Sequence, residues 1–133
     1  MSYDLCFWRE EHDLGMPPGD VADLLQDDTP VAGVATFPRS EVRQRFRDAF
    51  PDINDGDVSL DWRNDDSYFQ VGFNHADERN VNCIIVACGY QLLQSPEMMN
   101  RIVDVGNSLG CALFDLQTGE RDEQPEGQPM GAG

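Results

Sequence analysis

The stretch from Val81 to Asp115 constrains the fold more than any other part of this chain. VNCIIVACGYQLL is its one strongly apolar run, SPEMMNRIVDVGNSLG follows at once, and CALFD closes the unit. Residues 81–88 are short, β-branched-rich and bounded by Asn80 and Gly89, which predicts a buried strand. Ser95 suits a helix N-cap, Pro96 the first helical position and Glu97 the positive end of the dipole. Met98, Met99, Ile102, Val103, Gly106 and Leu109 then recur at three- and four-residue spacing and form an apolar stripe. Gly110 stands where a left-handed residue ends a helix. The unit reads as strand, crossover helix, strand, with a right-handed parallel pairing expected if both strands share a sheet.

The rest of the chain supplies partners for this unit. Tyr3, Leu5 and Phe7 alternate with Ser2, Asp4 and Cys6, predicting a strand over 2–8, and Trp8 on its second face implies that this face is partly covered. Met16-Pro17-Pro18-Gly19 is a loop, and Asp20 can cap a short helix through about Asp27 with Val21, Leu24 and Leu25 as its apolar side. Residues 29–36 hold Pro30 and Gly33 and give no regular signal. A second helix runs over 40–50 with Val42, Phe46, Ala49 and Phe50 buried, ended by Pro51. Val58, Leu60 and Trp62, then Phe69, Val71 and Phe73, alternate with polar residues around an Asn64–Ser67 turn, a hairpin with one core face.

The predicted order is β-α-α-β-β-β-α-β. It describes an α+β, two-layer sandwich in which a mostly antiparallel sheet carries the helices 40–50 and 96–109 on one face. Ser59, Asp61, Arg63, Tyr68 and Gln70 would line the other face. One domain spans 1–119, and 120–133, rich in Gly, Pro and charge without apolar periodicity, reads as a disordered acidic tail.

The charge narrows the choice of partner. The 133 residues hold 25 acids against 9 bases, all of them arginine, for a net charge of −16. Such a field repels nucleic acid backbones and anionic membranes, and suits a basic protein partner or plain solubility. The start, MSYDLCFWRE, lacks a basic region ahead of an apolar one, no apolar run is long enough to span a membrane, and the expected location is cytoplasmic. Cys6, Cys83, Cys88 and Cys111 fall in predicted strands and are expected to be reduced.

No catalytic or cofactor constellation emerges. In DINDGD, Gly56 at the sixth position of a calcium loop puts Pro51, Ile53 and Trp62 where ligands are required, so the segment reads as a solvated turn. Cys83 and Cys88, five apart on one strand, point to opposite faces, and His12 and His75 have no partner at ligand spacing. There is no Gly-x-Ser-x-Gly and no glycine-rich phosphate loop. Acid pairs such as Asp65-Asp66 leave an acid-pair hydrolase as the enzymatic alternative. Arg39, Arg43, Arg45 and Arg47 crowd one helix. With so many acids nearby, the cluster is read as neutralising carboxylates, its alternative being the binding of phosphate or nucleic acid.

YDLCFW (3–8) and LGCALFDLQTGE (109–120) resemble the two ends of a diffuse group of small bacterial proteins that open on Tyr-Asp-Leu plus an aromatic and close on a Gly-x-x-x-x-Asp-Pro-Gln-like motif. Leu116 stands here where proline is frequent. Several of those proteins look like immunity proteins of polymorphic toxin or contact-delivered effector systems. The resemblance implies a non-enzymatic protein without cofactor that binds and neutralises one cognate toxin domain. Its motif residues Tyr3, Leu5, Leu113, Phe114, Asp115 and Gln117 read as structural. An acidic nucleic-acid mimic or adaptor on a basic host protein is the alternative. Asp55, Asp57, Asp61, Asp65 and Asp66, within twelve residues on turns and a polar strand face, are the candidate contacts for a basic partner. The turns at 52–57 and 64–67 are expected at opposite ends of the strand between them.

Overall fold

In the computed structural model, the described residues are 3–12, 14–27, 29, 31–56, 59–75 and 77–122. The elements in order are β1 (Tyr3–Trp8), α1 (Pro18–Gln26), β2 (Phe37–Pro38), α2 (Arg39–Ala49), β3 (Asn54–Asp55), β4 (Leu60–Arg63), β5 (Tyr68–His75), β6 (Asn80–Cys88), a 3₁₀ helix (Tyr90–Gln94), α3 (Pro96–Ser108), β7 (Ala112–Asp115) and β8 (Arg121–Asp122). One antiparallel sheet runs in the order β3-β4-β5-β6-β1-β7-β8, and β2 pairs with the start of β6. The chain is an α+β sandwich, as the alternation and helical stripes predict.

The crossover unit differs from expectation in one respect. β6 and β7 run in the same direction, but β1 lies between them and pairs antiparallel with both, Leu5 facing Val86 on one side and Asp115 on the other. The cause is in β1 itself, where Leu5, Cys6, Phe7 and Trp8 are all buried. A strand apolar on both faces gains most from a central place with cover on each side.

Each cover has its own core. Leu5, Phe7, Leu60, Phe69, Val71, Ile84, Val86 and Cys88 pack against Val42 and Phe46 of α2 and Ile102 and Val105 of α3. The two predicted helices thus share one face. Val105, absent from the expected stripe, is buried while Val103 is only partly so. Phe50 meets Phe69 edge-on with centroids 4.9 Å apart, and Trp62 stacks on Phe69 at 5.6 Å. Such pairs each add about 0.5–1.5 kcal/mol beyond their buried area. Gly110, at φ 79°, ends α3 as its position predicts.

The second face is covered in part, by α1. Val21, Ala22 and Leu25 pack on Cys6, Trp8, Cys83 and Phe114, so the helices do not all lie on one face. The short stripe of α1 is matched to the second side of β1, where Cys6 and Trp8 need burial. The helix begins at Pro18, with Pro17 rather than Asp20 at its N-cap. Cys83 and Cys88 do face opposite cores, and Cys6 Sγ lies 2.9 Å from Cys83 Sγ. All four cysteines are buried free thiols.

The expected boundary at residue 119 falls inside a hairpin. Phe114 pairs with Arg121 and Leu113 with Asp122, and the Arg121 guanidinium meets Glu10 at 2.9 Å. The remainder of the predicted tail, 123–133, lies outside the described residues. Among the described residues no helix is long and apolar enough to cross a membrane.

Candidate functional site

Among the described residues, α1 leaves the β3-β4-β5 half of its face open except at the far end of β5, where the Asn74 amide donates to the Leu25 carbonyl. Strand alternation turns Leu60 and Trp62 to the α2/α3 core and sends Asp61 and Arg63 the other way, with Tyr68 and Gln70 from the paired strand. Register carries one row across four strands: Asp61 faces Gln70, Gln70 faces Ala87, and Ala87 faces Asp4. With strands about 4.8 Å apart, Asp61 and Asp4 are separated by roughly 14 Å on this floor. Gln70 Nε2 donates to Ser59 Oγ at 3.2 Å, ordering the edge.

At one end of the row the Asn64–Ser67 turn holds Asp65 and Asp66 in solvent. Asn64 Oδ1 accepts from the Asp66 and Ser67 amides at 2.9 and 2.7 Å, so the turn is a side-chain-locked Asx type. A depression of about 300 Å³ is lined by Arg63, Asn64, Asp65, Asp66, Ser67 and Tyr68. A second, of about 160 Å³, adjoins it through Arg63 and Tyr68 and includes Asp61 and Gln70. Tyr68 is 40% exposed, and its ring lies over Gly89, where a Cβ would come within 2.6 Å. Tyr90, the next residue but one along the backbone from Cys88, is 45% exposed at the same end.

The sequence-predicted acids therefore divide. Asp61, Asp65 and Asp66 share one hairpin and its two depressions. Asp55 sits at the opposite end of β4, as expected of that turn, and its carboxylate is held by Arg43 and, at 2.7 Å, by Arg47. Its charge is neutralised within the molecule. Asp57 lies outside the described residues. Arg43 and Arg47 thus act as the neutralising reading of the cluster requires, while Arg45 donates to the Ser108 carbonyl at 3.4 Å. Tyr90 and the Asp4 end of the row were not legible as site residues, because both depend on β1 and the 90–94 helix being brought beside the hairpin.

The motif residues of the two ends meet each other rather than this face. The Tyr3 hydroxyl donates to Asp115 Oδ2, and the Gln117 amide bridges the Asp4 carbonyl and Asp115 Oδ1 at 2.9 and 3.0 Å. Hydrogen bonding to Asp115, with burial second, raises the Tyr3 pKa to about 12. Burial pushes Asp115 upward, but bonds from Tyr3, Gln117 and Thr118 outweigh it and hold the carboxyl below its ordinary value. Among the described residues no group of three His, Cys, Asp or Glu is placed to hold a metal ion. No family model, curated protein or solved structure matches this chain.

Proposed function

We propose that this chain is an immunity-type protein that binds a basic toxin or effector domain in the cytoplasm and blocks it without chemistry of its own. The observation that carries the reading is the uncovered half-sheet, where Asp61, Asp65 and Asp66 surround an exposed Tyr68. Aromatic side chains at the centre of an interface supply anchoring area, and acids around them steer a basic partner. The net charge of −16 acts in the same sense over longer range and opposes polynucleotides and anionic membranes. The likeness of YDLCFW and LGCALFDLQTGE to the ends of bacterial immunity proteins supports the same function.

The test is the binding kinetics of the adjacent open reading frame's product at low and high salt. Asp61→Asn, Asp65→Asn and Asp66→Asn should each slow association by about threefold at low salt and less at high salt, as rim charges do. Tyr68→Ala should speed dissociation. Asp55→Asn should leave both rates unchanged, since its partner is internal. Rates insensitive to salt and to all four face substitutions would remove this surface from the function.

A further inference from the structure

A second concavity has the opposite character. A cleft of about 620 Å³ opens where α2 begins, lined by Pro38, Arg39, Ser40, Arg43, Arg79 and Asn80. Among the described residues that line it, three are arginine and none is acidic, in a chain where acids outnumber bases 25 to 9. The volume lies within the range of small-molecule sites, about 300–1,000 Å³.

The fold assembles these arginines from distant segments. Arg39 and Arg43 are four apart and share one side of α2. Arg79 arrives from the β5–β6 turn because β2 pairs with β6, Pro38 facing Asn80. The Arg39 amide donates to the Arg79 carbonyl at 2.9 Å, fastening the turn to the helix start. Asp77 orders that turn by accepting from the Arg79 and Asn80 amides at 2.8 and 2.9 Å. Arg43 forms the floor, its guanidinium held by Asp55 and the Gly56 carbonyl and lying over the Phe73 ring at 5.9 Å. The N-cap of α2 is Pro38, so no side chain caps this end, and the helix dipole adds a partial positive charge there.

We infer that this cleft binds the phosphoryl group of a small phosphorylated molecule, with Arg39 and Arg79 gripping it, Ser40 donating at the helix start and Arg43 placed beneath. Guanidiniums match phosphate oxygens with paired donors, and a helix start completes the set. Ligand size follows from the field. At physiological salt, charges beyond about 8 Å are screened, so a small dianion feels mainly the cleft, whereas a polynucleotide would lie along the acidic surface. The site is separate from the half-sheet face and does not rest on the partner reading.

The test is amide-resolved NMR titration of the whole protein with inorganic phosphate, adenosine 5′-monophosphate and adenosine. Saturable shifts should appear at Arg39, Ser40, Arg79 and Asn80 with phosphate and the monophosphate, and be absent with adenosine. Arg79→Ala, an exposed turn position that leaves the folded spectrum intact, should weaken binding about tenfold, and Arg63→Ala on the far hairpin should not. Equal affinity for phosphate and the monophosphate would assign the site to free phosphate, and tighter monophosphate binding to an organic phosphate. Shifts that fail to saturate, persist undiminished in Arg79→Ala, or appear equally with adenosine overturn the inference.

Discussion

The Tyr3 hydroxyl donates its hydrogen bond to the Asp115 carboxylate, tying the first strand to the end of the seventh across 112 positions of sequence. Gln117 reinforces the junction by donating to the Asp4 carbonyl while its own oxygen accepts from the Asp4 amide at 2.6 Å. This closes the sheet's β1–β7 pair at its open end, so the two motif segments form one structural clasp.

Tyr3→Phe should cost about 1 kcal/mol at neutral pH, toward the low side for a bond to a charged acceptor because the pair is partly solvated. Asp115 titrates below its ordinary 3.8 in the folded chain, so its stabilisation is complete above that value and is lost as pH falls through the folded one. The difference between wild type and Tyr3→Phe in urea unfolding should accordingly shrink on acidification. In a cycle with Asp115→Asn, equal costs for Tyr3→Phe in both backgrounds would show that the carboxylate charge is not what the hydroxyl serves.

Much of this architecture is legible in short-range pattern. The alternations of 3–8, 60–63 and 68–75 and the stripes of α2 and α3 each reflect burial of one side against a neighbour, which any segment encodes locally. What escapes is who the neighbour is. β1 enters between β6 and β7 because Cys6 and Trp8 make its second side apolar, and α1 covers that side, a pairing of segments that no periodicity states. The candidate site has the same limit. Asp61, Asp65 and Asp66 stand together because one hairpin holds them. Asp55 is withdrawn by Arg43 and Arg47, and Arg79 joins Arg39 only through the β2–β6 pairing.

α3 crosses β1 at Gly106, where an added Cβ would overlap the Phe7 ring. Phe7 is itself 1% exposed and hemmed in by the larger core, so it has little room to turn. Gly106→Ala should therefore destabilise the protein by about 1–3 kcal/mol despite alanine's better helix propensity. Equilibrium unfolding in urea gives the value. A gain in stability would mean that the ring shifts freely and that helix propensity decides the sign.

Burial pushes the Cys88 and Cys111 thiols up to about 12, with Asp4 adding to the first and Arg9 opposing the second, and burial also raises Cys83. Tyr3 moves in the same direction. A fold that favours these neutral forms is stabilised fully below their ordinary values, near 9 for the thiols and 10 for the phenol, and loses that contribution as pH climbs toward 12. Near-ultraviolet circular dichroism should show tertiary structure failing within that alkaline window. At pH 8 a thiol reagent should find no rapidly reacting group in the native protein and all four cysteines after denaturation. Rapid reaction of any one in the native state would place it at an accessible surface.

The last two residues of the sheet are more than an end. Arg121 reaches Glu10 at 2.9 Å, with 18% and 9% of their side chains exposed, and lies 5.8 Å from the Trp8 ring centroid. Glu10 also accepts from Trp8 Nε1 at 2.8 Å, so one carboxylate joins the guanidinium and the indole. Removing the cation takes one partner from a nearly buried carboxylate, a change that costs about 3–5 kcal/mol at fully buried pairs and less where solvent or another group still reaches the acid. Arg121→Ala should therefore cost about 1–3 kcal/mol and alter Trp8 fluorescence. Arg121→Lys should fall between it and wild type, keeping charge but losing the planar contact with the indole. A chain shortened to end after Glu120 should lose at least as much as Arg121→Ala, since it also gives up the Leu113–Asp122 and Phe114–Arg121 pairings. If both the substitution and the shortened chain unfold at the wild-type urea midpoint, β8 contributes nothing to the fold, and the ordered domain ends at 119 as its composition alone suggests.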